Sequence, residues 1–216
     1  VFATGLVFSR MFIRGSNNHW SIRGTAGTIV EYSAADCVAG NGGNHGSNVN
    51  LYYTSENAVI RFNIFRRSFD NGCGQGSGGG TSSIASQDTN GHQIYGNVFD
   101  RFQVGDAAIG FDTGNSSNMQ IYNNTFVKST AGGGGIRAQN GSGNVIRNNL
   151  WVGVSSPDVN AGSGATITHN SFSGSSGYGT NMQVNVPTSI FMNYTQSDYR
   201  LAAPTTAGFT LASPFD

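Results

Sequence analysis

The chain has 216 residues, a length that suits a single domain, and only 10% of them are charged, against roughly 25% in an average soluble domain. The formal net charge is zero, which gives no electrostatic footprint for a nucleic acid or an acidic membrane surface. No apolar run approaches the ~20 residues that span a bilayer, and 14 Phe with 8 Tyr argue against a disordered chain.

An opening coil is predicted before residue 37. Its apolar strands are residues 6–8, 11–13 and 20–23, and the last of these matches the first half of a phrase that recurs later, with Thr25 in place of an Asn. A solenoid normally needs a cap over its end. No cap is apparent in residues 1–11, so we expect it to be partial or missing, with sequence absent upstream.

A six-residue phrase then recurs five times. Each copy begins with Ile, has Asn three positions later, and has an aromatic residue two positions after the Asn. The asparagines are separated by 34, 27, 25 and 21 residues, and they are Asn63, Asn97, Asn124, Asn149 and Asn170. Self-similarity at such spacings is typical of a stacked repeat.

The phrase predicts two strands joined by a sharp bend. Because side chains alternate across a strand, the Ile and the aromatic residue of one copy face the same side. Asn enters the left-handed conformation cheaply, so we place the bend at the Asn. Stacked coils would bury the apolar side, and the five amides would hydrogen-bond up the stack. An antiparallel β-sandwich is the alternative, but it does not explain why the same six-residue phrase recurs with its residues in the same phase.

A third strand is predicted nine to twelve residues before each of the first four phrases, beginning at Leu51, Ile84, Ile109 and Ile136. The predicted fold is therefore an all-β parallel solenoid of about six to seven coils, with three short strands per coil. We expect one domain over residues 1–216, with coils at 12–195 and a C-terminal tail at 196–216 that packs on the last coil.

The two cysteines, Cys37 and Cys73, lie in the long loops at residues 37–50 and 66–82. If these loops stack in consecutive coils, a disulfide can join them, which suits an oxidising compartment. Two unrelated free thiols are the alternative, because the sequence does not give the geometry of the pair.

Over residues 12–172, the phrase and its asparagine ladder give the chain a family resemblance. It resembles the right-handed parallel β-helix superfamily of pectate lyases and related polysaccharide-acting proteins, and residues 198–201 look like the closing segment of many secreted members. The resemblance implies a right-handed helix, a secreted protein and a polysaccharide partner. That superfamily also includes hydrolases, phage tailspikes and adhesins, so the fold alone does not give the activity.

The activity that we predict is cleavage of uronic-acid polymers by β-elimination. A lyase of this kind needs a base and a positive group that stabilises the enolate-like charge, and carboxylate-bound calcium often supplies the positive group. Arg137 is the first candidate for the base or the neutralising group, and Lys128 is the second. The candidate calcium ligands are Asp112, Asp106 and Asp88.

The placement of these residues depends on the alignment of the third strands. Aligned strands would stack Tyr52, Ala85, Asp112 and Arg137 on an exposed face, and the superfamily's clefts usually lie along such a sheet. An Asp112–Arg137 pair could equally be a surface ion pair of small energetic effect.

A second column follows the Ile of each phrase on the outer face, and it contains Arg61, Tyr95, Tyr122 and Arg147. Tyrosine rings and guanidinium planes in a row could bind sugars. Ordinary cross-strand stacking that shields the sheet explains the same residues.

Two other functions remain open. A glycoside hydrolase would need two carboxylates ~5–9.5 Å apart, and the candidate pairs join Asp112 to Asp106 or to Asp88. A non-catalytic structural or adhesive β-helix of a virion, cell surface or filament is favoured by the scarcity of Lys and Glu. An open end would allow such a protein to associate end to end.

Overall fold

The predicted coils are present in a computed structural model, which describes residues 4–15, 18–38, 46–52, 54–68, 82–102, 107–113, 116–129, 135–138, 140–155 and 157–208, with backbone alone at 112 and 113. These ranges form a right-handed parallel β-helix of about seven coils. Each of the first six coils contributes one strand to each of three parallel sheets, named I, II and III, and the described residues of the last coil contribute to sheets I and II. The described part of the chain contains no helix with the length and apolar character needed to cross a membrane.

The strands are short and follow one another around each coil. Sheet I contains β1 (Val7–Ser9), β4 (Ile29–Glu31), β7 (Val59–Arg61), β10 (Gln93–Tyr95), β13 (Gln120–Tyr122), β16 (Val145–Arg147) and β19 (Thr166–Thr168). Sheet II contains β2 (Phe12–Arg14), β5 (Ala34–Asp36), β8 (Ile64–Arg66), β11 (Val98–Asp100), β14 (Thr125–Val127), β17 (Leu150–Val152) and β20 (Ser171–Phe172). Sheet III contains β3 (Asn18–Arg23), β6 (Ser47–Tyr52), β9 (Ser82–Gln87), β12 (Ala107–Thr113), β15 (Ile136–Arg137) and β18 (Val159–Asn160).

The core consists of columns of identical or similar side chains, as the phrase predicts. The phrase isoleucines face inward from sheet I, and all but the last of them are fully buried. The phrase aromatics are buried in sheet II, where Phe99, Phe126, Trp151 and Phe172 stack with ring centroids 4.8 Å apart. That distance equals the usual spacing of neighbouring strands, so each ring lies directly over the ring of the previous coil.

The asparagine ladder is confirmed. The side-chain oxygen of each ladder Asn accepts from the backbone N–H and the Nδ2 of the Asn one coil earlier, at 2.9–3.2 Å. Ser33 continues the ladder below Asn63, because its backbone N–H donates to Asn63 Oδ1 at 3.0 Å. A buried polar column is tolerated here because almost every group finds a partner.

The bend, however, does not lie at the ladder Asn. The left-handed residue is the one before it, and the five positions are Phe62, Gly96, Asn123, Asn148 and His169, with φ between 54° and 65°. The ladder Asn itself must direct its amide into the stack, so the preceding residue makes the turn. At Gly96 two features favour glycine: φ is 65°, and an added Cβ would lie 2.6 Å from the Phe62 ring.

The prediction for the opening coils was wrong in one respect. Residues 20–23 do not begin a phrase but belong to β3 of sheet III, where Trp20 pairs with Val49. A complete coil that the sequence pattern missed follows at β4 and β5, where Val30 pairs with Ile60 and Ala35 with Phe65. Ile, Asn and the aromatic residue are replaced there by Val, Ser and Ala, which leaves too little of the phrase to recognise.

The C-terminal segment packs against the side of the helix. A 3-10 turn (Thr188–Ile190) leads into an antiparallel hairpin of β21 (Phe191–Asn193) and β22 (Asp198–Leu201). Phe191 and Ile190 form an apolar cluster with Val127, Leu150 and Val152 on the outer face of sheet II. The hairpin therefore covers the outer face of sheet II at its later coils and, among the described residues, leaves it open at the earlier coils.

Cys37 is disulfide-bonded. The only other cysteine of the chain is Cys73, which lies outside the described residues. The bonded state of Cys37 agrees with the predicted disulfide.

His92 is the one fully buried histidine among the described residues. Its Nδ1 accepts a hydrogen bond from the Ala58 backbone N–H at 3.0 Å, while its Nε2 is buried and has no partner among the residues that the structure describes. Burial lowers the pKa of His92 to about 3, because a charged imidazolium would lose its hydration there. Asn144 occupies the corresponding position two coils later, and its Oδ1 accepts from the Met119 N–H at 3.0 Å.

Replacing His92 by Asn is expected to reduce the loss of stability in acid. The unfolded chain protonates His92 below pH 6.5 whereas the folded chain stays neutral down to about pH 3, so the native state loses stability as the pH falls through that window. At pH 5 the loss from this one group is about 2 kcal/mol. Urea unfolding at pH 7.5 and pH 5 would measure the difference between the two proteins. An equal loss in both proteins would contradict the assignment to His92.

Candidate functional site

The predicted pairing of Asp112 with Arg137 is wrong. Arg137 lies opposite Gly110 in sheet III, so Asp112 is two residues further along its strand. Tyr52 lies opposite Gln87 and therefore does not share a column with Ala85. Ile84, Ile109 and Ile136 are in register, but Leu51 lies opposite Ser86 and not opposite Ile84. Asp112 was misplaced because it is three residues after Ile109, whereas Arg137 is one residue after Ile136.

The other residues predicted for catalysis or metal binding are also dispersed. Lys128 follows β14 of sheet II, Arg137 belongs to sheet III, and Asp88 is an exposed left-handed residue after β9. Asp106 lies outside the described residues, and the side chain of Asp112 is not among those described. Within the described ranges no three His, Cys, Asp or Glu side chains come together as metal ligands.

The second predicted column is confirmed as a column. Arg61, Tyr95, Tyr122 and Arg147 are cross-strand neighbours on the outer face of sheet I. The Tyr95 and Tyr122 rings stack at 4.8 Å, and Tyr122 is 1% exposed, which raises its pKa. The ring faces that these tyrosines turn toward each other are closed to a sugar.

Arg61 extends this column toward the earlier coils. Its Nε donates to Glu31 at 2.8 Å and its Nη1 donates to the Tyr95 hydroxyl at 3.0 Å. The described contacts of the column are thus mainly internal, as expected of a surface that shields a sheet.

Basic residues gather instead on the open part of sheet II. We define the basic face by six residues, Arg14, Arg66, Arg67, Arg101, Lys128 and Arg200. They are six of the eleven lysines and arginines in the chain, and sequence reasoning assigned only Lys128 among them. Arg14 and Arg66 are outward residues of sheet II, and Arg200 lies on β22.

The remaining three residues occupy one corner of successive coils. Arg67, Arg101 and Lys128 directly follow β8, β11 and β14, and all three have left-handed backbone with φ of 48–57°. The same corner holds Gly15 in the first coil and Gly153 in the sixth. A residue with a side chain pays about 1–2 kcal/mol for this conformation. Three consecutive basic residues at a position that suits glycine point to a role for their side chains.

Two carboxylates lie beneath the basic side chains. Asp36 pairs with Arg67 through Nε at 2.8 Å and with Arg14 at 3.5 Å. Burial alone would raise the pKa of Asp36, but the guanidinium groups of Arg67, Arg66 and Arg14 outweigh it and hold the pKa below its ordinary value. The carboxylate is therefore ionised and covered, while the guanidinium groups face outward.

Asp100 is the second covered carboxylate, with its side chain 1% exposed. Arg101 Nη2 lies 3.2 Å and Arg66 Nε lies 3.6 Å from its Oδ2. The Tyr199 hydroxyl donates to Oδ1 at 2.8 Å, so this carboxylate also fastens the C-terminal hairpin to sheet II. Burial is the main cause that raises the pKa of Tyr199, which keeps that hydroxyl protonated as a donor.

A pocket of about 490 Å³ opens between the hairpin and sheet II. Ile64 and Val98 form its apolar floor. Its polar walls include Tyr199, the cations Arg66 and Arg200, and the carboxylates Asp100 and Asp198, each of which is paired with an arginine. Lys128 supports the hairpin beside it, since its Nζ donates to Ser197 at 3.1 Å and lies 4.9 Å from the centre of the Tyr194 ring. The volume is within the range of sites that bind small molecules.

The comparisons with known proteins identify no family, so the function of the site is inferred from its geometry. No protein family, curated protein or solved structure matches the chain. The sequence does carry one signal for the basic face, because the second residue after each of three phrase aromatics is basic. These residues are Arg67, Arg101 and Lys128.

Proposed function

We propose that this protein binds an acidic polysaccharide on the basic face and acts on it as a secreted lyase for uronic-acid polymers. The observation that carries the proposal is the gathering of six cations over three carboxylates, two of which, Asp36 and Asp100, are covered. The surface presented to solvent is therefore positive although the whole chain is neutral. Such a surface attracts a polyanion and is weakened by salt.

The basic face supplies part of what β-elimination needs. An exposed guanidinium such as that of Arg66 can neutralise the carboxylate of a uronate and so stabilise charge at the neighbouring carbon. Lys128 belongs to this face and remains the proposed base, whereas Arg137 on sheet III would serve only a polymer bound to that sheet. We also propose calcium as a second group that would neutralise this charge.

Removing two outward cations is expected to weaken binding of polygalacturonate at least tenfold. In the double variant Arg14→Gln/Arg66→Gln, Asp36 remains paired with Arg67, and Asp100 remains bound by Arg101 and Tyr199. Both carboxylates therefore keep a partner. Losing two charge-assisted contacts at about 1.5 kcal/mol each accounts for the tenfold change or more. Titration calorimetry at low and at physiological salt would measure it.

The control is Arg10→Gln/Arg23→Gln, which removes the same charge from two exposed arginines outside the basic face. An equal loss of affinity in both double variants would contradict a defined site. Lyase action would be followed by absorbance of the unsaturated uronate product, with and without calcium. If polygalacturonate and alginate bind but neither gives product, the protein is a binding protein and not a lyase.

A structural or adhesive role is the second candidate, and exposed apolar side chains favour it. Phe12 is 68% exposed on sheet II, and Tyr32 and Phe62 stack at 5.3 Å on an exposed corner beside it. An adhesive or self-associating surface formed by these residues would be unaffected by the loss of Arg14 and Arg66. The same calorimetry therefore separates the two functions.

A further inference from the structure

The pocket beside the hairpin combines an apolar floor with one arginine, Arg66, that is paired only through its Nε among the described residues. Ile64 is 44% exposed although it is a large apolar residue in the middle of a sheet, and Val98 is its cross-strand neighbour. Arg66 lies two residues after Ile64 and therefore on the same face of β8. An apolar patch next to a cation is suited to a ligand that has an apolar side and an anionic group.

Arg66 differs from Arg67 and Arg200 in how its guanidinium is used, and it resembles Arg14, whose Nε lies 3.5 Å from Asp36 but which does not line the pocket. Arg67 binds Asp36 through both Nε and Nη2, and Arg200 binds Asp198 in the same way, at 2.9 and 2.6 Å. Among the described residues Arg66 makes one ion pair, through Nε to Asp100 at 3.6 Å. Its two Nη groups are left to form the planar fork that receives a carboxylate.

We propose that this pocket is a subsite for a single uronate ring, which rests on the proposed polysaccharide binding. The apolar face of the pyranose packs on Ile64 and Val98, and its carboxylate accepts hydrogen bonds from the Nη groups of Arg66. Ser197 and Gln196 on the hairpin provide polar groups at the rim for ring hydroxyls. The pocket thereby adds a shape requirement to the charge attraction of the basic face.

This arrangement distinguishes a polyuronate from a polymer that is merely anionic. A densely sulfated polysaccharide is bound by charge along the whole basic face, and it gains little from an apolar floor. A uronate ring carries one charge, so its contact with Ile64 and Val98 contributes a larger share of its affinity. Ile64 is then a residue that determines specificity, whereas Arg66 serves both polymers.

The test compares polygalacturonate with dextran sulfate for the variant Ile64→Ser. Loss of the apolar contact is expected to weaken polygalacturonate binding about fivefold to tenfold and to leave dextran sulfate binding within about twofold. Arg66→Gln is expected to weaken both. The control Phe12→Ser removes an exposed apolar side chain of the same sheet II column that does not line the pocket, and it should change neither affinity.

The outcomes are separable. If Ile64→Ser weakens both polymers equally, or neither of them, the uronate subsite is wrong while binding to the basic face stands. If the unmodified protein binds neither polymer, the proposed function fails and the subsite fails with it. Dextran sulfate binding that is retained by Ile64→Ser excludes misfolding as the cause of the loss. Ile64→Leu, which restores an apolar floor, should recover polygalacturonate affinity.

Discussion

Replacing Asn124 by Leu is expected to lower the free energy of unfolding by about 3–5 kcal/mol. The Asn124 side chain takes part in five hydrogen bonds: its Nδ2 donates to Ile94 O, Tyr122 O and Asn149 Oδ1, and its Oδ1 accepts from Asn97 N and Nδ2. Leu has a similar volume, so it fills the space but leaves these groups without partners. A buried polar group that loses its partner costs about 1–3 kcal/mol, and several lose theirs at once.

Asn123 provides a matched control in the same turn. It is exposed and has left-handed backbone with φ of 54°, so Asn123→Gly keeps the conformation and should change stability by less than about 1 kcal/mol. Chemical denaturation of the three proteins would give the comparison. If Asn124→Leu cost less than Asn123→Gly, the ladder would have no special part in holding the coils together.

The stacking of coils was predictable because one phrase fixes both faces of two strands. Ile and the aromatic residue must face inward, and the intervening Asn then falls at the same point of every coil. The conformation of the bend was not predictable from Asn propensity alone. Asn63 and its equivalents are held by hydrogen bonds across coils, and this tertiary demand shifts the left-handed residue to the preceding position.

The register of sheet III could not be read in the same way. The loops before its strands differ in length, and the pairing of β9 with β12 shifts register between Gly110 and Thr113. A count from one strand to the next therefore misplaces a residue such as Asp112, even where the inward isoleucines are assigned correctly. One wrong step in a period of two moves a side chain to another column or face.

The basic face was hidden for a different reason. Its residues extend from Arg14 to Arg200 in the sequence, and no local run of charge marks them. Two facts bring them together: the common register of sheet II and the return of the C-terminal hairpin, whose Tyr199 reaches Asp100 across the sheet. No short segment of the sequence shows the register of sheet II or the return of the hairpin. The basic residue two positions after the aromatic residue of the first three phrases is the part that could have been noticed.

Replacing Phe126 by Ala is expected to lower the free energy of unfolding by about 3–5 kcal/mol. The ring is fully buried between Phe99 and Trp151, with centroids 4.8 Å away on both sides. Close neighbours in successive coils fix those two rings, so they cannot move in to fill the space, and the cavity term adds to the loss of buried area. Thr125→Ala, which trims the adjacent outward residue, should cost under about 1 kcal/mol.

A second substitution separates burial from ring stacking at this position. Phe126→Leu retains most of the apolar volume but removes both aromatic contacts, which are worth about 0.5–1.5 kcal/mol each beyond the area they bury. Thermal or urea unfolding should therefore place Phe126→Leu between the parent and Phe126→Ala. Full stability in Phe126→Leu would mean that the rings act as apolar volume alone, and the alignment of the coils would then be set by the asparagine ladder and the strand hydrogen bonds. An intermediate value would show that the aromatic stack also contributes to the register of sheet II, on which the spacing of the basic face depends.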